Sequence, residues 1–95
     1  MERLMALIAN YVVNFKSFEH VQFKGRMVSF DIVLDNGHSY FVELFAPNEK
    51  FDVMEDNWAV AVDYTFVDCG KSCRTATWIN WAVQHYEAGC YPYVA

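Results

Sequence analysis

Residues 26–46, RMVSFDIVLDNGHSYFVELFA, decide how the rest of the chain is read. Asp35-Asn36-Gly37 is a turn signature between two runs rich in β-branched and aromatic residues, the pattern of a β-hairpin. A two-residue loop at Asn36-Gly37 would set Phe30 against Glu43 and Leu34 against Ser39, mixing polar and apolar side chains on both faces. A type I turn with Gly37 in the left-handed conformation, closed by a G1 bulge, shifts the pairing by one. Val28 then opposes Leu44, Phe30 opposes Val42, Ile32 opposes Tyr40 and Leu34 opposes His38, so one face is almost wholly apolar. The other face carries Ser29, Asp31, Ser39 and Glu43, with Met27, Phe41 and Phe45 among them. A one-residue slip moves a whole strand's side chains to the opposite face, so the clean segregation selects the bulged register.

The flanking segments follow from periodicity. Residues 2–15 place Leu4, Leu7, Ile8, Tyr11, Val12 and Phe15 on one helical stripe, with Arg3, Asn10 and Asn14 opposite. Residues 18–23 read as a strand that turns at Lys24-Gly25 and pairs Phe23 with Arg26, which keeps Val21 and Phe23 on the core face. Beyond the hairpin, residues 47–57 (PNEKFDVMEDN) form an acidic connection around Phe51 and Met54. Residues 58–67 (WAVAVDYTFV) return as a single strand, with Trp58, Val60, Val62, Tyr64 and Phe66 alternating to one side. The other side has Ala59, Ala61, Asp63 and Thr65, small enough to leave room for a covering element or a partner. Ser72 is an N-cap candidate for a helix over residues 73–88, whose buried stripe is Trp78, Ile79, Ala82, Val83 and Tyr86 and whose C′ residue is Gly89. Trp81 and His85 lie at the edge of that stripe beside Arg74.

Ninety-five residues make one domain, residues 1–95, with a core of moderate size. Hydrophobic residues are 55% of the chain and aromatics 18%, above the usual apolar share of about 45–50%. Either the core is densely aromatic, or some aromatics stay on the surface for a partner. The net charge of −5 is unevenly spread. Residues 43–68 hold Glu43, Glu49, Asp52, Glu55, Asp56, Asp63 and Asp68 against Lys50 alone, a sum of −6, while residues 1–42 sum to 0 and residues 69–95 to +1. Such a field repels nucleic acid and attracts basic protein surfaces.

The chemistry-bearing residues give no catalytic motif. Cys69, Cys73, His85 and Cys90 form C-x3-C-x11-H-x4-C, faintly similar to a zinc knuckle. Cys73 and His85, twelve positions apart on one helix, would stand about 18 Å apart along its axis, too far for a single zinc ion. Three cysteines do not suggest a secreted disulfide scaffold. Cys69 or Cys73 near a helix N-terminus beside Lys71 and Arg74 would favour a thiolate, yet no histidine is placed beside them by the sequence. Glu49, Asp52, Glu55 and Asp56 do not match an EF-hand loop. No metal or cofactor is expected. No run approaches the ~20 apolar residues of a membrane span, and the N-terminal apolar run lacks the flanks of a signal peptide. A reducing cytoplasm is the expected location.

The expected fold is α+β: a two-layer sandwich with an antiparallel sheet of three to four strands and an N-terminal and a C-terminal helix on one face. The order α-β-β-β-β-α is partly similar to the double-stranded RNA-binding domain, but the second helix opens with KSCRTAT where that domain has a lysine-rich cluster. Small size, an N-terminal helix, a hairpin turning at LDNGHSY and an acidic segment after it make the chain resemble small acidic phage-encoded inhibitors of the anti-CRISPR type. That resemblance covers about the first two-thirds of the chain and implies a non-enzymatic inhibitor, acting in the host cytoplasm, whose carboxylates occupy a basic nucleic-acid channel. The leading expectation is therefore an inhibitor or adaptor that binds a basic protein, such as a nucleic-acid-binding effector complex. Its expected contacts are Glu49, Asp52, Glu55, Asp56, Asp63, Phe51, Trp81, His85 and Tyr93. The alternatives are a self-associating module with an aromatic homodimer interface and a small cysteine-dependent enzyme.

Overall fold

The computed structural model describes residues 2–45, 58–70 and 72–89. Their order is α1 (Glu2–Tyr11), β1 (Phe15–Lys24), β2 (Met27–Leu34), β3 (Ser39–Phe45), β4 (Trp58–Val62), β5 (Thr65–Gly70) and α2 (Ser72–Glu87). All neighbouring strands pair antiparallel, in the spatial order β1-β2-β3-β4-β5. The α+β class holds, but the sheet has five strands rather than three to four.

The β2–β3 hairpin takes the bulged register. Val28 pairs with Leu44, Phe30 with Val42 and Ile32 with Tyr40. Gly37 has φ +87°, its N–H donates to the Leu34 carbonyl at 2.9 Å, and Leu34 N–H donates to the His38 carbonyl at 2.9 Å. The Asn36 side chain closes the turn by accepting from His38 N–H at 2.9 Å. A Cβ at residue 37 would meet no atom within 4 Å, so any cost of substitution comes from φ alone. Gly37→Val is therefore expected to destabilise the fold by about 1–3 kcal/mol and Gly37→Asn by clearly less, because asparagine tolerates the left-handed region. Equal thermal unfolding of parent and Gly37→Val would refute this turn.

α1 is shorter than the apolar stripe suggests. Asn14, at φ +63°, reverses the chain, and Phe15 opens β1 instead of closing the helix. Leu4, Ile8 and Val12 are buried, while Tyr11 is exposed. β1 begins earlier than expected and carries two bulges, one between Phe15 and Ser17 and one between Glu19 and Gln22, where His20 sits at φ +54°. Its turn also differs: Phe23 pairs with Val28 and Lys24 with Met27, and Val21, in the bulge, and Phe23, at the end of the edge strand, lie exposed and not in the core. Bulges at an exposed edge strand interrupt the ladder and hinder pairing with another chain.

The largest departure lies in residues 58–67, a hairpin where a single strand is expected. Asp63 and Tyr64 form a two-residue loop with φ +48° and +65°, and Val62 pairs with Thr65 across it. Positive φ at both central positions is the type I′ geometry that suits the twist of a tight hairpin. The reversal changes the side-chain parity. Val60 and Val62 remain in the core, Thr65 and Val67 join that face, and Tyr64 and Phe66 go to solvent.

The core lies between one sheet face and the two helices. Val28, Phe30, Ile32, Leu34, Val42 and Leu44 from the sheet meet Leu4 and Ile8 of α1 and Ile79, Ala82 and Val83 of α2. α2 is held at its middle and near its C-terminal end. Asn80 Oδ1 accepts from Val13 N–H at 3.0 Å, and Tyr86 OH reaches the Val62 carbonyl at 3.2 Å and Thr65 Oγ1 at 3.1 Å. Among the described residues, no helix is long and apolar enough to cross a membrane.

Candidate functional site: the open face of the sheet

With both helices on one side, the opposite sheet face is left uncovered by any described element. Strand alternation puts Met27, Ser29, Asp31 and Val33 of β2 there, with Ser39, Phe41, Glu43 and Phe45 of β3, Ala59 and Ala61 of β4, and Phe66 of β5. Phe45 is 52% exposed, Phe66 56% and Tyr64 81%, and the Tyr64 ring rests against Phe41 at 5.4 Å between centroids. Between these rings the alanines of β4 leave a cleft of about 110 Å³ lined by Glu43, Phe45, Ala59, Val60, Ala61 and Phe66. Large exposed apolar patches on a protein surface mark sites of interaction.

Two features of the sequence already carried this face: the apolar residues mixed into the polar side of the hairpin, and the small side chains of β4. Phe66 and Tyr64 escaped because the hairpin at Asp63-Tyr64 lacks the Asn-Gly or Asp-Gly signal, and the alternation of Trp58 to Phe66 runs unbroken through it.

Three described acids lie on this face, with Lys24 at its edge opposite Met27. Glu43 lines the cleft itself. Glu19 pairs across β1–β2 with Asp31, whose Oδ2 lies 2.7 Å from His20 Nδ1. Glu49, Asp52, Glu55 and Asp56 belong to residues 46–57, between β3 and β4 in the sequence. These four acids, Phe51 and Tyr93 lie outside the described residues.

The remaining expected contacts are placed elsewhere. Asp63 is engaged by its own fold: its Oδ1 accepts from Phe41 N–H at 2.7 Å and its N–H donates to the Phe41 carbonyl at 2.7 Å. Trp81 and His85 sit on α2, on the helix side of the sheet, so they do not join the open face. Trp78 and Trp81 are both half-buried, pack edge to face at 5.1 Å and lean on the core. The His85 ring lies tilted against Trp81, 4.2 Å between centroids, and donates from Nδ1–H to the Trp81 carbonyl at 2.8 Å. Arg74 continues this ladder, 6.0 Å from the Trp78 ring. Cys73 and His85 occupy one continuous helix, so the axial separation of about 18 Å that argues against a shared zinc ion stands.

Glu87, at the end of α2, titrates well away from its ordinary range. Its carboxylate accepts from Tyr40 OH, lies 2.7 Å from His38 Nδ1, and accepts from Asn36 Nδ2 at 2.6 Å. The hydrogen bonds from Tyr40, His38 and Asn36 lower its pKa to about 2. Burial and the neighbouring carboxylate push the Tyr40 phenol well above its ordinary value. This cluster clamps α2 to the β2–β3 turn. A carboxylate depressed in the folded state contributes stability that is present above its unfolded pKa of about 4.5 and is lost as pH falls toward about 2. Stability is expected to decline across that window, and Glu87→Gln is expected to flatten the decline and cost about 1–2 kcal/mol at neutral pH. Denaturant titrations of both proteins at pH 7, 4 and 2.5 test it, and parallel losses in parent and variant would refute it.

No protein-family model matches the chain, and no curated protein or solved structure matches it significantly. Its class is thus set by its own geometry: a five-stranded antiparallel sheet, helices on one side and an aromatic, acid-bearing face on the other.

Proposed function

We propose that this chain is a non-enzymatic protein-binding module, an inhibitor or adaptor that engages a basic surface of a partner protein. The observation that carries the reading is the uncovered sheet face, where Phe45, Tyr64 and Phe66 stand half or more exposed beside Glu43. Aromatic anchors of this kind supply most of the binding energy in protein interfaces, and acids around them speed encounter and select cationic partners. The concentration of negative charge in residues 43–68 supports the same partner class. A partner whose own role is to hold nucleic acid fits this chemistry, and a reducing cytoplasm fits the three cysteines.

Self-association is the competing use of an exposed aromatic face. Facing copies would bring Glu19, Asp31 and Glu43 toward one another, a repulsion that a basic partner removes. Sedimentation separates the two. The heteromeric reading expects a monomer at micromolar concentration and salt-sensitive binding to a basic partner captured from lysate. A tight, salt-insensitive dimer whose interface is Phe45 and Phe66 would overturn it.

A further inference from the structure

We propose that the cleft between β3, β4 and β5 receives an arginine side chain of the basic partner. This rests on the protein-binding reading of the open face and specifies the chemistry of its occupant. At about 110 Å³ the cleft has room for a side chain and not for a folded element. Phe45, Phe66, Ala59 and Ala61 line it together with Glu43. Glu43 projects from the middle of β3 opposite Ser29 and Ala61, so no cationic side chain faces it across either neighbouring strand. Among the described residues it makes no hydrogen bond or ion pair.

An occupant must therefore satisfy two demands at once. It must cover apolar and aromatic surface, and it must compensate the carboxylate that it shields from water. A purely aliphatic side chain meets the first demand and leaves Glu43 desolvated without a partner. A compact ammonium meets the second but lies poorly against flat rings. A guanidinium does both: it stacks on aromatic faces, is weakly hydrated and presents two parallel N–H groups to a carboxylate. Its aliphatic stem fills the alanine-lined part of the cleft.

The test uses the full chain labelled with nitrogen-15 and titrated with the capped peptide Gly-Arg-Gly while amide shifts are followed. Matched peptides carry citrulline, lysine or leucine in place of arginine. The expected result is a saturable response centred on Glu43, Phe45, Ala59, Ala61 and Phe66, strongest for arginine and absent for citrulline, which keeps the shape and loses the charge. Glu43→Gln, isosteric at a surface position, is expected to weaken the arginine response about tenfold. No response, an equal response to citrulline, lysine or leucine, or an unchanged response in Glu43→Gln would each overturn the assignment. Partner capture by the same variants keeps the two readings apart. Capture that survives Glu43→Gln at full strength but fails in Phe45→Ser/Phe66→Ser overturns the arginine assignment and leaves the protein-binding reading standing. Capture indifferent to both variants removes the protein-binding reading itself.

Discussion

Phe30→Ala is expected to destabilise the fold by about 3–5 kcal/mol, a large part of the roughly 5–15 kcal/mol that holds a domain folded. Phe30 lies at the middle of β2, is fully buried, pairs with Val42 and meets Phe18 edge to face at 5.2 Å. Its ring bridges β2 to the bulged edge strand β1 through Phe18. Removing it takes away apolar burial, leaves a cavity and ends an aromatic pair worth about 0.5–1.5 kcal/mol in its own right. Phe30→Leu, which refills most of the volume, should recover much of the loss. Urea unfolding monitored by circular dichroism gives the comparison. A variant within 1 kcal/mol of the parent, or a leucine variant as unstable as the alanine one, would contradict the packing described.

The second large effect concerns binding. Changing Glu49, Asp52, Glu55 and Asp56 to Lys turns the sum over residues 43–68 from −6 to +2. An acidic connection between strands belongs on the surface, so the fold should hold. Affinity for a basic partner should nevertheless fall by an order of magnitude or more, since unlike charge sets both encounter rate and partner choice. Added salt should reproduce part of that loss in the parent, because the Debye length shrinks from about 10 Å at 0.1 M to about 3 Å at 1 M. A reversed protein that binds its partner as tightly as the parent, without salt dependence, would sink the role given to these acids.

The elements that were legible in the sequence are those where a local signal and a face pattern agree. Asp35-Asn36-Gly37 named a turn, and segregation of Val28, Phe30 and Ile32 from Ser29 and Asp31 fixed its register without reference to the rest of the chain. The stripe of Ile79, Ala82 and Val83 with Gly89 beyond it, at φ +78°, placed α2 within a residue or two. Two reversals were hidden because their positive-φ positions carry no glycine to mark the turn. The chain reverses at Asn14 just after α1 ends at Tyr11, inside an unbroken apolar stripe, and Asp63-Tyr64 folds a ten-residue alternation back on itself. Asp63 is held by its two hydrogen bonds to Phe41, a contact that no local pattern announces. The bulge at His20 shifted the register of β1 for the same reason. These errors bear on function because parity decides exposure: Tyr64 and Phe66 change from expected core residues to the exposed aromatics of the open face. Glu87 escaped notice as well, since its partners Asn36, His38 and Tyr40 lie about fifty positions away and meet it only through the packing of α2.

The claim that the open sheet face is a protein-binding surface is tested most directly by calorimetric titration of a captured partner against the parent chain and Phe45→Ser/Phe66→Ser. Both replaced rings are already half exposed, so the double variant should keep the parent's unfolding midpoint. The account predicts that its affinity falls at least about tenfold, the effect of losing interface anchors. An equally stable double variant that binds with the parent's affinity would contradict it.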